Sequence, residues 1–176
     1  MAGFTVETRI PFSSDDVFTC YRDDLPGLAR YMSNVKDIEV KERKENGGVV
    51  TLLNHWRARA EIPAAVKAFV TEDKLGWLDH ATWDAAKKQC DWWLEIPAFK
   101  DAVTCKGTTR VVADGATSRM LISGELTVDA AKVGVPRLMA GTVGKAVEAF
   151  AVALIKPNQE KMGEAVTQYL KARAGK

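Results

Sequence analysis

Two polar residues stand where a strand pattern predicts apolar side chains. Residues 49–62 alternate in polarity, and Asn54 falls on their apolar side. Asp79 takes the same kind of position in a second alternating segment, residues 75–84. Burying a polar group is costly unless it is hydrogen-bonded. Either side chain could therefore orient the polar end of a ligand, or the two could pair with each other, with a tryptophan N–H or with trapped water.

Asp79 is the residue on which a catalytic function would depend. Trp77 and Trp83 flank it along the same predicted face. Enclosure by these rings should raise the pKa of Asp79 through desolvation. A carboxylate of that kind could serve as a general base for enolisation, with Asn54 as a hydrogen-bond donor.

All five tryptophans lie on consecutive predicted strands, and they serve either as core packing or as the wall of a cavity that contacts ligand rings or acyl chains. Trp92 and Trp93 are adjacent, so they must point to opposite faces of a strand. We expect Trp92 to point inward with Cys90 and Leu94, and Trp93 outward. The candidate ligand-binding residues on the strands are Asn54, Trp56, Trp77, Asp79, Trp83 and Trp92.

Other site chemistry has little support. His55 and His80 are the only histidines and fall on the face opposite Asn54 and Asp79, without a metal-ligand spacing. We expect the three cysteines to be small buried residues and not nucleophiles. No glycine-rich phosphate loop opens a helix after a strand. We therefore expect no metal, no cofactor and no assigned catalytic residue.

Composition places these residues in a single globular domain spanning residues 1–176. The apolar fraction of 47% suffices for a core, and a net charge of +2 argues against nucleic acid as a partner. An odd number of dispersed cysteines and a polar N-terminal strand without a signal-peptide pattern predict a cytoplasmic protein. The oligomeric state stays open, with a homodimer as one option.

The most apolar stretch, residues 138–155, is a test case for a membrane span. It contains Lys145 and Glu148. On insertion scales two central charges cost about 5 to 7 kcal/mol, more than the roughly 2 to 4 kcal/mol that its large apolar residues offer. We therefore expect a buried soluble helix and no integral membrane segment.

The predicted elements alternate with turn signals. Ser13 or Ser14 offers an N-cap for a short helix through Tyr21, and a second short helix runs from Leu25 toward Met32. Asn46-Gly47 is a strong hairpin signal. A long helix runs from Pro136 to about Ala172, with a kink expected at Pro157. The predicted strands are residues 3–10, 35–44, 49–62, 75–84, 89–96, 104–112 and 118–128.

This order of elements resembles the helix-grip superfamily. The resemblance also rests on the Asn-Gly hairpin, the tryptophan-rich middle strands, the segment TSRMLISGELTV before VPRLMAG and the final long helix. That group includes START-related (SRPBCC) domains, plant pathogenesis-related ligand binders and polyketide cyclases. The resemblance implies an α+β fold in which a seven-stranded curved antiparallel sheet wraps around the C-terminal helix, with two short helices between strands 1 and 2. It also implies a cavity between sheet and helix.

On the long helix, an apolar stripe faces that cavity. Four of its residues would serve as both core and ligand wall, namely Met139, Val143, Val147 and Phe150. A ligand-binding cavity has a volume of about 300 to 1,000 Å³.

Three functions follow from these observations. The first is non-catalytic binding or transport of a hydrophobic or amphipathic small molecule or lipid. The second is an enzyme of the polyketide cyclase or dehydratase kind, with Asp79 as base. The third is a protein-interaction module, such as a chaperone accessory domain, that uses an exposed Trp93.

Overall fold

A strongly hydrogen-bonded antiparallel sheet forms the frame of the molecule. The computed structural model describes residues 1–68 and 70–175. These form a seven-stranded sheet in the order β1-β7-β6-β5-β4-β3-β2. The strands are β1 (Ala2–Ile10), β2 (Val35–Asn46), β3 (Val49–Ala58), β4 (Gly76–Asp84), β5 (Gln89–Glu95), β6 (Val103–Asp114) and β7 (Thr117–Val128).

Two short helices connect β1 to β2, as the sequence predicts. Helix α1 (Ser14–Asp23) is capped by Ser13, whose hydroxyl accepts a 3.1 Å hydrogen bond from the Asp16 amide. Helix α2 (Leu25–Leu28) follows, with Asp24 capping it through the Gly27 amide. Both helices turn their apolar side chains into the core beneath the sheet.

The C-terminal helix α3 (Arg137–Ala174) lies along β1. The amino group of Met1 is 3.7 Å from the carboxylate of Glu148, and Gly163 lies against Thr8. Seven strand residues span about 23 Å, and fifteen helical residues span about the same distance. A Cβ atom at Gly163 would overlap the Thr8 side chain, so glycine permits this close approach.

The C-terminal half of α3 is anchored to the short helices. The Tyr169 hydroxyl donates a 2.5 Å hydrogen bond to Asp24 and accepts one from Arg173. The Tyr31 ring packs edge-on against Tyr169, with centroids 6.5 Å apart. The helix continues through Pro157 without interruption, and the kink expected there stays a prediction.

The first turns of α3 lie outside the core. Leu138 is 99% exposed and Met139 is 54% exposed. Glu148 already lies beside Met1, which precedes β1, so the first turns of α3 continue past this end of β1. The prediction that Met139 belongs to the core is therefore wrong.

Most strand predictions agree with the structure to within two residues, but β3 is shorter than predicted. It ends at Ala58, four residues before the predicted end at Ile62. Its ladder with β4 closes at Arg57 opposite Gly76, and the Arg59 amide bonds to the Asn34 carbonyl instead. The chain therefore leaves the sheet before reaching Pro63.

Helix α3 is long and apolar enough by length and hydropathy to cross a membrane. Its apolar stripe is nevertheless the core of this fold, as predicted. Buried residues along it include Val143, Val147, Phe150, Ala151, Leu154, Met162, Val166 and Tyr169.

Candidate functional site

The inner face of the sheet and helices α1, α2 and α3 line a small cavity. All six strand residues predicted as ligand contacts border it. The twelve lining residues are Tyr21, Leu25, Asn54, Trp56, Trp77, Asp79, Ala81, Trp83, Cys90, Trp92, Leu94 and Gln159. The six side chains selected from the sequence therefore lie close together in space, while their role as ligand contacts stays a prediction.

Asp79 is the centre of a buried polar cluster. Strand register places Asn54 directly opposite Asp79, and Trp56 opposite Trp77. Asn54 Nδ2 donates to Asp79 Oδ2 at 3.2 Å, and Trp56 Nε1 donates to the same oxygen at 3.4 Å. The pairing that the sequence allows between these groups is thus present.

Burial raises the pKa of Asp79 from 3.8 to about 6. The hydrogen bonds from Asn54 and Trp56 act in the opposite direction, because they favour the ionised form. Desolvation is the larger effect, so the predicted upward shift is confirmed. A carboxyl with this pKa changes its charge slightly below neutral pH.

Two acceptors at the cavity have no hydrogen-bond partner among the described residues. They are Asn54 Oδ1 and Gln159 Oε1. Asn54 is 1% exposed and Gln159 is 6% exposed, so solvent does not reach them freely. The Asn54 amide is fixed in orientation because its Nδ2 must face the Asp79 carboxylate, which leaves Oδ1 as an acceptor.

Tyr21 brings a phenol from α1 to the same cavity. Burial raises its pKa well above 10, and the nearby Asp79 charge raises it further. The phenol therefore stays protonated at physiological pH. The Tyr21 ring packs edge-on against Trp83, with centroids 4.9 Å apart.

Tight packing fixes the tryptophan walls. Trp56 and Trp77 stack with ring centroids 5.3 Å apart. Trp92 Nε1 donates to Thr109 Oγ1 at 3.2 Å. A Cβ atom at Gly107 or Gly124 would lie 2.5 or 2.8 Å from the Trp92 ring, so the two glycines make room for it.

This packing leaves little free volume. The cavity measures about 20 Å³, whereas a site for a drug-sized ligand occupies about 300 to 1,000 Å³. It is large enough for about one water molecule. The sequence leaves open whether the cavity is empty or filled by side chains, and in this conformation the tryptophan side chains fill most of the interior.

The helix residues predicted as ligand wall lie elsewhere. Val143, Val147 and Phe150 are buried in the core but do not border the cavity. Phe150 packs against Phe99, with ring centroids 6.2 Å apart. Their contact with a ligand stays a prediction that requires the interior to open.

Gln159 is the functional candidate that the sequence reasoning missed. It lies four residues after Ile155 and three before Met162, so it falls on the buried stripe of α3. A polar residue within an apolar stripe is the same signal that identifies Asn54 and Asp79. Tyr21 carried a weaker signal, because tyrosine is common at the edge of a core.

The outer face of the sheet differs in character. Trp93 is 49% exposed while Trp92 is 7% exposed, which confirms their predicted orientations. The Trp93 ring stacks on His80 with centroids 3.7 Å apart, above a broad open groove. Within the described residues, no cluster of three or more potential metal ligands occurs.

The three buried cysteines are poor nucleophiles. Burial raises the pKa of Cys20 and of Cys105 to about 12. It raises the pKa of Cys90 well above 9, and the Asp79 charge adds to the effect. Thiolate chemistry at physiological pH is disfavoured at all three positions.

Fold and interior together define the class of protein: this is a helix-grip protein, in which a curved antiparallel sheet holds a long C-terminal helix. TTHA0849 from Thermus thermophilus has this fold, with a TM-score of 0.67 and 20% identity over 98% of this chain and 99% of that one. The Zhui aromatase/cyclase from Streptomyces sp. R1128 follows, with a TM-score of 0.60 and 15% identity over 93% of each chain. Ara h 8.0201 has a TM-score of 0.56 and 15% identity, covering 97% and 98% of the two chains.

The chain belongs to the DUF2505 family, described as a protein of unknown function, which matches residues 5–170. No curated protein sequence matches this chain.

Proposed function

We propose that the protein binds a hydrophobic or amphipathic small molecule between the sheet and α3, without transforming it. The observation that carries this proposal is the polar cluster around Asp79, enclosed by tryptophans in the interior. A core built only for packing gains stability from an apolar side chain at this position. An unpaired buried acceptor such as Asn54 Oδ1 adds to the cost.

The ligand needs more room than the present cavity offers, so part of the wall must move. The best candidate is the part of α3 before Pro157. Its first turns are exposed, and proline at position 157 removes the backbone bond to the Ala153 carbonyl. The anchors at Gly163 and Tyr169 lie on the other side of Pro157, so they can stay in place while the first half lifts.

If the part of α3 before Pro157 moves away from the sheet, Val143, Val147 and Phe150 would contact the ligand. All three side chains are buried in the core, and Phe150 packs against Phe99 in the loop after β5. Burial of apolar ligand surface would supply affinity at about 25 cal/mol per Å² before the costs of binding. The polar cluster would fix the orientation of the ligand.

The test is native mass spectrometry of the purified protein, combined with solvent extraction. The proposal predicts an added mass on the folded protein that disappears on denaturation and reappears as one organic molecule in the extract. When protein stripped of ligand is incubated with a metabolite extract of its source cells, the same molecule should bind again. Repeated failure of both experiments would refute the proposal.

One observation favours a catalytic alternative. The pKa of Asp79, raised to about 6, suits a general base that works near neutral pH. The Zhui aromatase/cyclase shares the fold, which makes an enzyme of the polyketide cyclase kind the second candidate. Asp79→Asn should then abolish turnover of the substrate, and equal activity of this variant would remove the mechanism.

A further inference from the structure

The chemistry of the cavity wall restricts the ligand more narrowly than its apolar character does. The two unpartnered atoms at the wall, Asn54 Oδ1 and Gln159 Oε1, are both acceptors. The third acceptor is the carboxylate of Asp79, which is 9% exposed. A group that enters between them meets oxygen atoms that need hydrogen-bond donors.

Three donors of this cluster are already engaged, and each lies beside the cavity. Asn54 Nδ2 and Trp56 Nε1 both donate to Asp79 Oδ2. Trp92 Nε1 donates to Thr109 Oγ1. A ligand acceptor that takes a hydrogen bond from any of these three donors would have to break an existing bond, and each break leaves a buried group unpaired.

Positive charge is missing from the wall. Among the twelve described residues that line the cavity, Asp79 is the one acidic side chain, and there is no Lys, Arg or His. His80 follows Asp79 in β4 but points to the outer face, where it stacks on Trp93. A ligand anion would thus be buried beside a carboxylate without a counter-ion, which is strongly unfavourable.

We infer that the head group of the ligand is a hydrogen-bond donor without negative charge, an alcohol or an amine, held by Asn54, Gln159 and Asp79. Fatty acids and phosphate esters are excluded as ligands that place their head group here. This inference rests on the proposed function, since it names the ligand class of the same site.

The test compares four ten-carbon probes with the same chain: 1-decanol, decylamine, decanoate and methyl decanoate. Each is titrated below its aggregation limit into the full chain by calorimetry. Decanol or decylamine should bind at least about tenfold more tightly than decanoate and methyl decanoate, because an anionic or donor-free head leaves buried acceptors unpaired. Either of the two as the tightest ligand supports the inference, and their ratio identifies the head group.

Variants locate the head group. Asn54→Leu and Gln159→Leu should each reduce the preference for donor-bearing probes. Asn158→Leu is the matched control, because Asn158 is also buried on α3 with an unpartnered Oδ1 but does not border the cavity. Asp79→Asn should strengthen decanoate binding, because it removes the like charge and adds an amide donor.

The outcomes separate the two proposals. Equal binding of all four probes, or tighter binding of decanoate, would overturn the head-group inference while the binding site remains. A preference that Asn54→Leu and Gln159→Leu leave unchanged would also overturn it. Binding of none of the probes, together with no ligand in the extraction experiment, would overturn the proposed function and the inference with it.

Discussion

Replacing Asp79 with asparagine should change how the stability of the protein depends on pH. Burial raises the pKa of Asp79 from 3.8 to about 6 in the folded protein. The folded state therefore holds a proton that the unfolded state has released between these two values. Stability from this group is fully present below pH 3.8 and is lost as the pH rises through 6. A shift of about 2 units corresponds to a loss of about 3 kcal/mol.

Asp79→Asn removes this titration and keeps the shape of the side chain. Its amide oxygen can still accept from Asn54 and Trp56, so the variant and the wild type should have similar stability near pH 4. Above pH 7 the variant should be more stable than the wild type by about 3 kcal/mol, which is the stability that the wild type loses when Asp79 ionises. Urea denaturation followed by tryptophan fluorescence at several pH values measures the difference.

A control separates burial from charge. Asp91→Asn makes the same chemical change at an exposed position on the outer face of β5, where Asp91 accepts a hydrogen bond from Gln89. This variant should reproduce the pH dependence of the wild type. If the stability difference between wild type and Asp79→Asn is constant from pH 4 to 8, Asp79 is not desolvated and the reasoning about the polar cluster is refuted.

Three further predictions concern packing and reactivity. Trp92→Ala should lower the free energy of unfolding by about 3 to 5 kcal/mol, whereas the adjacent Trp93→Ala should cost far less in urea denaturation. An equal molar mass of wild type and Trp93→Ala in light scattering would show that Trp93 does not hold an oligomer together. Gly163→Ala should destabilise the protein because its Cβ would meet a β1 side chain. Gly141→Ala, whose Cβ would have nothing within 4 Å, should stabilise the protein by up to about 1 kcal/mol. Equal thermal unfolding temperatures of the two variants would contradict this. The three buried thiols should react with a disulfide reagent at pH 8 only after unfolding, and rapid reaction of the native protein would show that they are accessible.

The sheet and the long helix could be predicted because their signals are local. Alternating polarity fixes which side of a strand faces the core, and Asn46-Gly47 fixes a hairpin. The inward orientation of Trp92 and the outward orientation of Trp93 follow from the same period of two. The early end of β3 could not be read in this way, because it depends on where the partner strand β4 begins.

The volume of the interior could not be predicted from the sequence. It depends on how closely rings approach the backbone of strands far away in the chain. Gly107 and Gly124 let Trp92 approach β6 and β7, and no pattern around either glycine indicates this contact. The prediction that Met139 is buried was wrong for a similar reason, since its exposure depends on where α3 first meets the end of the sheet.

The central claim is that a small molecule enters the interior between the sheet and α3, and the tryptophan indole N–H signals test it most directly. In a two-dimensional NMR spectrum of ¹⁵N-labelled protein, the five tryptophans give one indole signal each. On titration with 1-decanol or the extracted ligand, the signals of Trp56 and Trp92 should shift in a saturable way, while that of the outward Trp93 should stay in place. A saturable shift of Trp93 alone, or no shift of the interior signals at saturating ligand, would contradict the account.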